Sequence, residues 1–243
     1  MIPILIFIVL HWYLSLFIQT FFHHRYAAHQ QFTMSPFWER FFFVVAFILQ
    51  GSCYMSPKAY AILHRQHHAF TDKEGDPHSP KDYANMPAMM LGTKYAYEAI
   101  FKNKADVDPK FTKNVPTWDA FDRMGHSWIT RLAWGTLYTL FYLYFAPSYW
   151  LLLLLPYHYL QAAIHGAIIN CGAHKYGYQN FEMDNTATNL MPWDVFMMGE
   201  GLHNNHHKFP ASANFGQKWY EFDPTWWLIK GLNSLGVVKL AKA

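Results

Sequence analysis

Residues 2–22 read IPILIFIVLHWYLSLFIQTFF and contain no Asp, Glu, Lys or Arg. In a helix, which rises about 1.5 Å per residue, this segment is about 30 Å long and matches the hydrocarbon core of a bilayer. It has neither a basic start nor a small-residue cleavage site, which favours a transmembrane helix over a signal peptide. We therefore expect an integral membrane protein.

The composition of the whole chain agrees with a membrane protein. Of 243 residues, 52% are hydrophobic and only 14% are charged, against about 25% charged in ordinary soluble domains. The net charge of +3 is too small to indicate binding of nucleic acid, and the two cysteines cannot form a disulfide framework. The unusual feature is histidine, because the 15 histidines nearly equal the 16 acidic residues in number.

Two further apolar stretches, residues 132–149 and 150–169, are separated by a helix-ending Ala-Pro-Ser sequence at 146–148. They predict a tight transmembrane hairpin. Residues 41–55 are also apolar, but this stretch is short and contains polar residues, which favours an interfacial or re-entrant segment over a span. We therefore expect one all-α integral membrane domain over residues 1–243, with about three transmembrane helices.

The positive charges predict the orientation of the chain. If residues 41–55 do not cross the membrane, all 19 Lys and Arg lie on one side, within residues 25–131 and from Lys175 onward. The positive-inside rule assigns that side to the cytoplasm. We expect a cytoplasmic helical cap there, opposite an uncharged N-terminus and an uncharged hairpin tip.

Three histidine boxes lie on that predicted cytoplasmic side, where the spans emerge. Their sequences are HRYAAH at 24–29, HRQHH at 64–68 and HNNHH at 203–207. On an α-helix, the HxxHH pattern presents three imidazoles from one face. A separation of five residues turns well past one α-helical turn, so His24 and His29 are not expected to share a face. They either serve different ions or lie where the first span unwinds.

Histidines in this number and spacing indicate metal binding. Neutral imidazole suits zinc, copper, iron and nickel, and eight ligands exceed the six positions of one octahedral ion, so we expect at least two ions. A structural zinc site closes with four ligands and often uses cysteine, but the chain has no Cys-x-x-Cys. The eight histidines of the boxes are His24, His29, His64, His67, His68, His203, His206 and His207.

With these boxes the chain resembles the membrane fatty acid desaturases, of the acyl-CoA or stearoyl-CoA desaturase type. The likeness extends to Asp76-Pro77-His78, to Gly199-Glu200-Gly201 and to an Asn-x-x-x-His sequence at 170–174. The resemblance implies two iron ions, held by nine histidines and, through water, by Asn170. The implied histidine ligands are His24, His29, His64, His67, His68, His174, His203, His206 and His207.

The reaction that the resemblance implies is the O2-dependent removal of two hydrogens from a long fatty acyl chain. It leaves a cis double bond and reduces O2 to water. The substrate would be an acyl-CoA or another acyl ester among the membrane lipids, and a separate ferredoxin or cytochrome-b5-like protein would donate electrons at the cytoplasmic face. Glu200 and Asp76 are expected either to orient imidazole N–H groups or to be solvated or helix-capping residues.

The chain departs from the family pattern in two places. The span that precedes the first one in the family is missing, so we expect either a compact three-span form or a different start of the chain. Tyr60-Ala61-Ile62-Leu63 replaces polar and charged residues that lie near the CoA headgroup in animal enzymes. Phospholipid and carrier-protein esters therefore stay open as alternatives to acyl-CoA.

Six histidines lie outside the implied site. Three of them fall within predicted spans, where ionisable groups tend to face the bundle interior, and we expect neutral imidazoles bonded across helices rather than catalytic groups. These three are His11, His158 and His165. The other three, which we expect to be structural, are His23, His78 and His126.

Two alternative functions remain open from the sequence. A membrane diiron hydroxylase of lipid or alkyl chains would share the oxidant and differ in its product. A divalent-metal transporter could also contain many histidines, but transporters bind ions near the bilayer midplane on broken helices. The histidine boxes lie instead at or beyond the ends of the predicted spans.

Overall fold

The computed structural model describes residues 1–241, which are mostly helical. Two short strands, β1 (Phe32–Met34) and β2 (Val238–Leu240), pair antiparallel, with Thr33 opposite Lys239. The α-helices of the described residues are α1 (Ile2–Ile18), α2 (Pro36–Gln50), α3 (Pro57–Phe70), α4 (Met86–Phe101), α5 (Pro109–Thr112), α6 (Asp119–Gly125), α7 (Trp128–Phe145), α8 (Leu155–Gly166), α9 (His203–Lys208) and α10 (Pro224–Ser234).

Two long helices have the length and composition of membrane spans. α1 continues into a π-helix, Gln19–Ala28, so that one helix of 27 residues runs over Ile2–Ala28. The second covers Tyr149–His174, 26 residues, and joins α8 to short 3-10 and π segments before and after it. The two helices contain the predicted spans 2–22 and 150–169 in full, and each ends at or next to a predicted metal ligand.

The predicted span 132–149 corresponds to α7, which begins earlier and ends at Phe145. The helix stops there because Ala146 precedes Pro147, and a residue before proline is disfavoured in helical conformation. α7 has 18 residues, but among the described residues it is not one of the helices apolar enough to count as a span. Its outer side is nevertheless apolar and exposed, as at Leu137 and Leu140.

α2 and α3 form a sharply bent pair, with an angle of 79° between their axes. Gly51 ends α2 with a φ of +53°, and a Cβ atom there would collide with the hydroxyl of Tyr138, so this position requires glycine. α3 then begins at Pro57, where the Ser56 side chain accepts a hydrogen bond from the Ala59 N–H. The pair is a broken span or a re-entrant loop; the second of these forms is the one predicted for residues 41–55.

An aromatic core fixes the end of the first span. Phe21 and Phe22 are fully buried. Phe21 stacks on Phe32 with ring centroids 5.0 Å apart, and Phe22 meets Phe43 edge-on at 5.2 Å. α3 packs against the same π-helical segment. This packing brings the first two histidine boxes together.

Candidate metal centre

The first histidine box lies in the π-helical end of the first span. The His29 N–H donates to the His24 carbonyl, five residues earlier, at 3.1 Å, which is the bonding pattern of a π-helix. The wider turn stacks residues that are five apart, and the rings of His24 and His29 have centroids 5.0 Å apart. The expectation that these histidines lie on different faces is therefore wrong, because it assumed an α-helical turn.

The other two boxes lie on α3 and α9, as the HxxHH pattern predicts. α9 has only six residues, too few to hold its own position, and its two asparagines anchor it. Asn204 and Asn205 are fully buried. Asn204 donates to the Phe181 carbonyl at 2.9 Å, and Asn205 donates to the Glu221 carboxylate at 2.7 Å. The asparagines of the third box therefore fix the direction of its histidines.

All nine histidines implied by the resemblance converge in two groups. In each group the possible ligand atoms lie within 4.8 Å of one another. Both α3 and α9 contribute histidines to both groups, so each HxxHH box is divided between them. The first cluster consists of His24, His29, His64, His68 and His206, and the second cluster consists of His67, His174, His203 and His207.

The Nε2 atoms within each cluster face one another. Five pairs are separated by 2.8–3.1 Å: His24–His206, His29–His64, His68–His206, His174–His203 and His203–His207. Two nitrogens bound to one ion at about 2.1 Å, at a right angle, are about 3 Å apart. The Nε2 atom of His67 is buried and has no hydrogen-bond partner within residues 1–241. The donor atoms and their spacing therefore fit a metal ion in each cluster.

Two carboxylates hold the opposite ring nitrogen of one histidine in each cluster. Glu200 accepts from Nδ1 of His24 at 2.7 Å, and Asp76 accepts from Nδ1 of His67 at 2.9 Å. Such a contact fixes the tautomer that leaves Nε2 free to bind a metal. Glu200 and Asp76 are each only 7% exposed, which argues against the solvated alternative and for the orienting one.

Sequence reasoning missed a third support, at His174. The Thr186 hydroxyl accepts from His174 Nδ1 at 3.2 Å and donates to Asp72 at 2.7 Å. Burial acts to raise the pKa of Asp72, but hydrogen bonds from Thr186 and the nearby His174 ring outweigh burial and hold that pKa below its ordinary value. Asp72 is therefore a carboxylate at neutral pH. Its place just after the second box could have indicated it, whereas Thr186 lies in a loop without a pattern.

The histidines of the third box are neutral at physiological pH. Burial, with the neighbouring histidines, lowers the pKa of His203, His206 and His207 well below its ordinary value. Neutral imidazole is the form that binds a metal ion, since a protonated ring has no free nitrogen. These three imidazoles are therefore in the form that binds a metal ion even without an ion in the site.

A cavity of about 1130 Å³ reaches both clusters. His64 of the first cluster and His203 of the second line it, together with the half-buried Asn170 and mostly apolar residues of α1, α3, α4 and α8. Exposed residues, among them Lys94 and Arg123, line its outer part. The cavity connects the surface to the metal centre and is larger than most small-molecule sites, which measure about 300–1000 Å³.

The remaining histidines differ in how they are bonded. His11 and His158 meet across α1 and α8 with their Nδ1 atoms 2.7 Å apart, which confirms the prediction for these two. His165 is buried, but neither of its ring nitrogens has a partner among the described residues, so the same prediction is wrong for His165. His78 is buried against His67, with ring centroids 4.2 Å apart.

Comparison with known proteins agrees with the geometry of the metal centre. Residues 1–235 match the family model described as fatty acid desaturase. The chain belongs to the fatty acid desaturase family. This desaturase is therefore an oxidoreductase of lipid metabolism from a membrane-bound family, and its histidine clusters are compatible with a metal site.

Relatives in plants and cyanobacteria cover most of the desaturase. The "Delta-9 desaturase-like 5 protein" of Arabidopsis thaliana is 31% identical over 235 residues, which cover 90% of this chain and 70% of the relative. The "sn-1 stearoyl-lipid 9-desaturase" of Anabaena variabilis is 30% identical over 228 residues, which cover 90% of this chain and 77% of the relative. An acyl-CoA 5-desaturase of Anemone leveillei is 29% identical over 238 residues, which cover 88% of this chain and 64% of the relative.

Proposed function

We propose that this desaturase introduces a cis double bond into a long fatty acyl chain at a diiron centre, with O2 as co-substrate. The observation that carries the proposal is the meeting of two histidine clusters with one large, mostly apolar cavity. Methylene groups offer neither an acidic proton nor an electrophile, so side-chain acid–base chemistry alone cannot break their C–H bonds. Two iron ions would supply the oxidising power, with O2 reduced to water.

Each cluster would hold one iron ion. The five imidazoles of the first cluster would bind one ion, and the four imidazoles of the second cluster, with Asn170 acting through water, would bind the other. Iron suits this donor set, since neutral imidazole binds it readily and zinc has no redox chemistry. Glu200 and Asp76 would orient one ligand in each cluster, an assignment supported by their contacts with Nδ1 of His24 and His67.

The substrate would be a long acyl chain attached to a carrier, as acyl-CoA or as another acyl ester of the membrane. Both kinds of ester occur in the names of the relatives, one a stearoyl-lipid desaturase and one an acyl-CoA desaturase. The apolar walls of the cavity would bind the chain. The basic residues at its outer part, Lys94, Lys102, Arg123 and Arg131, would favour a carrier that bears negative charge.

The active site would face the cytoplasm in a multi-pass membrane protein. The two long helices both end at the clusters, at Ala28 and His174, and all Lys and Arg of the chain lie within residues 25–131 and from Lys175 onward. By the positive-inside rule these segments are cytoplasmic. A separate ferredoxin or cytochrome-b5-like protein would deliver electrons at this face.

Expression in a host that lacks its own desaturase tests the proposal. Isotope-labelled saturated acyl substrates should yield a new cis olefin in the lipids of cells that express the wild-type chain. The His67→Ala variant should yield none, because it loses a ligand of the second cluster. A labelled hydroxy acid without olefin would instead indicate a membrane diiron hydroxylase, and zinc-loaded protein without O2-dependent product would favour a metal transporter.

A further inference from the structure

A polar seam runs through the interior of the spanning bundle. On the first span, polar side chains recur every four residues along one face, and on α8 they occur at positions i, i+3 and i+7 of one face. α1 and α8 pack against each other, so the two polar faces belong to one interface. The seam consists of His11, Ser15, Gln19, His158, Gln161 and His165.

The end of the seam farther from the metal centre is bonded across helices. His11 and His158 share a hydrogen bond of 2.7 Å between their Nδ1 atoms, and His158 Nε2 lies 2.9 Å from the Tyr142 hydroxyl. Phe7 stacks on His158 with centroids 4.4 Å apart. This end ties α1, α7 and α8 together, a common use of polar side chains in membrane bundles.

Within residues 1–241, the rest of the seam has no side-chain hydrogen bond across helices, and Gln161 Nε2 donates to the Tyr157 hydroxyl of its own helix at 3.1 Å. The Ser15 hydroxyl, Oε1 of Gln19 and Gln161, and both ring nitrogens of His165 are buried without a hydrogen-bond partner in the part of the chain that the structure describes. In a bilayer each unpaired polar group costs several kcal/mol. Ordered water is the usual partner of such groups when several of them lie together. The unpaired atoms therefore indicate a hydrated interface.

The seam reaches the metal centre through the cavity. Gln19 and His165 both line it, and so do His203, His64 and Glu200 of the metal centre. From His11 to Gln19 the helix rises by about 12 Å. A continuous line of polar groups thus leads from the middle of the bundle to the side of the clusters.

We propose that the seam is a water-filled site that passes protons to the metal centre, with His165 at the junction between seam and cavity. This inference rests on the proposed O2-dependent desaturation. In that reaction O2 accepts four electrons, two from the C–H bonds that break and two from the donor protein. Two hydrogens of the two water molecules formed come from the substrate. The other two are protons from solvent, because the donor protein supplies electrons only.

A bound acyl chain makes such a path necessary. A chain that fills the mostly apolar cavity excludes bulk water that would otherwise enter past Lys94 and Arg123. The seam meets the cavity at Gln19 and His165, whereas Ser15 and Gln161 are not among the residues that line the cavity, so an acyl chain in the cavity leaves the water of the inner seam in place. It also gives the two water molecules of each turnover a place to go.

Thiol labelling tests the hydration without any measurement of activity. In a chain carrying Cys53→Ser and Cys171→Ser, a Ser15→Cys variant in lipid bilayers should react with a small charged methanethiosulfonate, because the reactive thiolate forms in water. Leu14→Cys is the matched control, since Leu14 is adjacent and 41% exposed on the outside of the bundle. The seam predicts at least tenfold faster labelling at position 15. Equal rates, or no labelling there, would overturn it.

The His165→Leu and His165→Gln variants test the transfer of protons. We expect both to keep the iron content of the wild type. We expect His165→Leu to lower olefin turnover about tenfold and to increase the slowing caused by D2O, and His165→Gln, which can still bind water, to be affected less. Unchanged turnover and isotope effect in His165→Leu, or loss of iron, would contradict the role of His165. Failure of the wild type to form olefin would instead refute the proposed function, and the labelling result would still stand.

Discussion

The two histidine clusters differ in how completely the protein surrounds an ion. The first cluster offers five imidazoles and the second offers four. With six positions on an octahedral ion, the first would keep one position open, and the second would keep two, one of them for the water that Asn170 would hold. The clusters lie side by side, yet α3 and α9 each divide their histidines between them. A repeated sequence pattern therefore does not build two equivalent sites, because the non-repeated ligands come from different helices.

The clusters also differ in how their ligands are held. Glu200 contacts His24 of the first cluster directly, while His174 of the second cluster reaches Asp72 mainly through Thr186. Asp76 gives the second cluster one direct carboxylate as well, on His67. We therefore expect a graded loss of iron affinity or turnover. Removal of a metal ligand should cause the largest loss, removal of a carboxylate that contacts a ligand directly a smaller one, and removal of the carboxylate bridged by Thr186 the smallest.

Removal of a direct ligand should have the largest effect. His206 and His207 are neighbours on α9 but belong to different clusters, so His206→Ala and His207→Ala form a matched pair. Loss of a residue that hydrogen-bonds a metal ligand lowers metal affinity or activity by up to about 100-fold. We expect each variant to lower olefin formation by more than this, because the reaction needs both ions. Fatty acid profiles of cells that express each variant provide the measurement. Normal olefin yield from either variant would show that its cluster is dispensable.

Much of this centre follows from the sequence, and the missing part has a local cause. The boxes are predicted from their sequence spacing, whereas the Asn170–His174 segment and the two outer carboxylates are predicted through the resemblance to the desaturase family. The meeting of His24 with His29 is not, because it requires a π-helix, and nothing in residues 19–28 distinguishes a π-helix from an α-helix. The division into two clusters depends on how α3 and α9 face each other, which spacing within one helix does not specify.

The fold shows the same limit. Residues 2–22 and 150–169 are predicted as spans because composition alone identifies them. α7 is displaced from residues 132–149, since Trp128 and Ile129 extend the helix past Arg131 toward the N-terminus. Thr186 and Asp72 meet through loop packing, and the residues between boxes carry no periodic signal that predicts such a contact.

Loss of a direct carboxylate should have the next largest effect. Glu200→Gln keeps the size of the side chain but removes the charge that orients His24, and we expect a loss of about 10–100-fold in iron affinity or turnover. Glu74→Gln is the matched control, because Glu74 is exposed and should leave both unchanged. Iron titration of the purified variants measures the affinity. An effect of Glu200→Gln no larger than that of Glu74→Gln would contradict the orienting role.

Loss of the bridged carboxylate should have the smallest effect of the three. In Asp72→Asn, Thr186 can still accept from His174. We therefore expect turnover to fall by less than about tenfold, which is the smallest loss typical of removing a residue that hydrogen-bonds a metal ligand directly. Asp82→Asn, at an exposed position, serves as the control. Turnover at saturating substrate, compared with iron content in the same samples, is the measurement. A loss larger than that of Glu200→Gln would reverse the order of the two supports.

The iron content of the purified chain decides whether the two clusters hold two ions. Two ions in separate clusters predict about two iron ions per chain in the active wild type, and about one in both His206→Ala and His207→Ala, with the remaining ion in a different cluster in each variant. Spectra of the two half-loaded variants should therefore differ. Full olefin formation by a wild type that contains one iron ion per chain, or none, would show that the two clusters do not form a diiron centre.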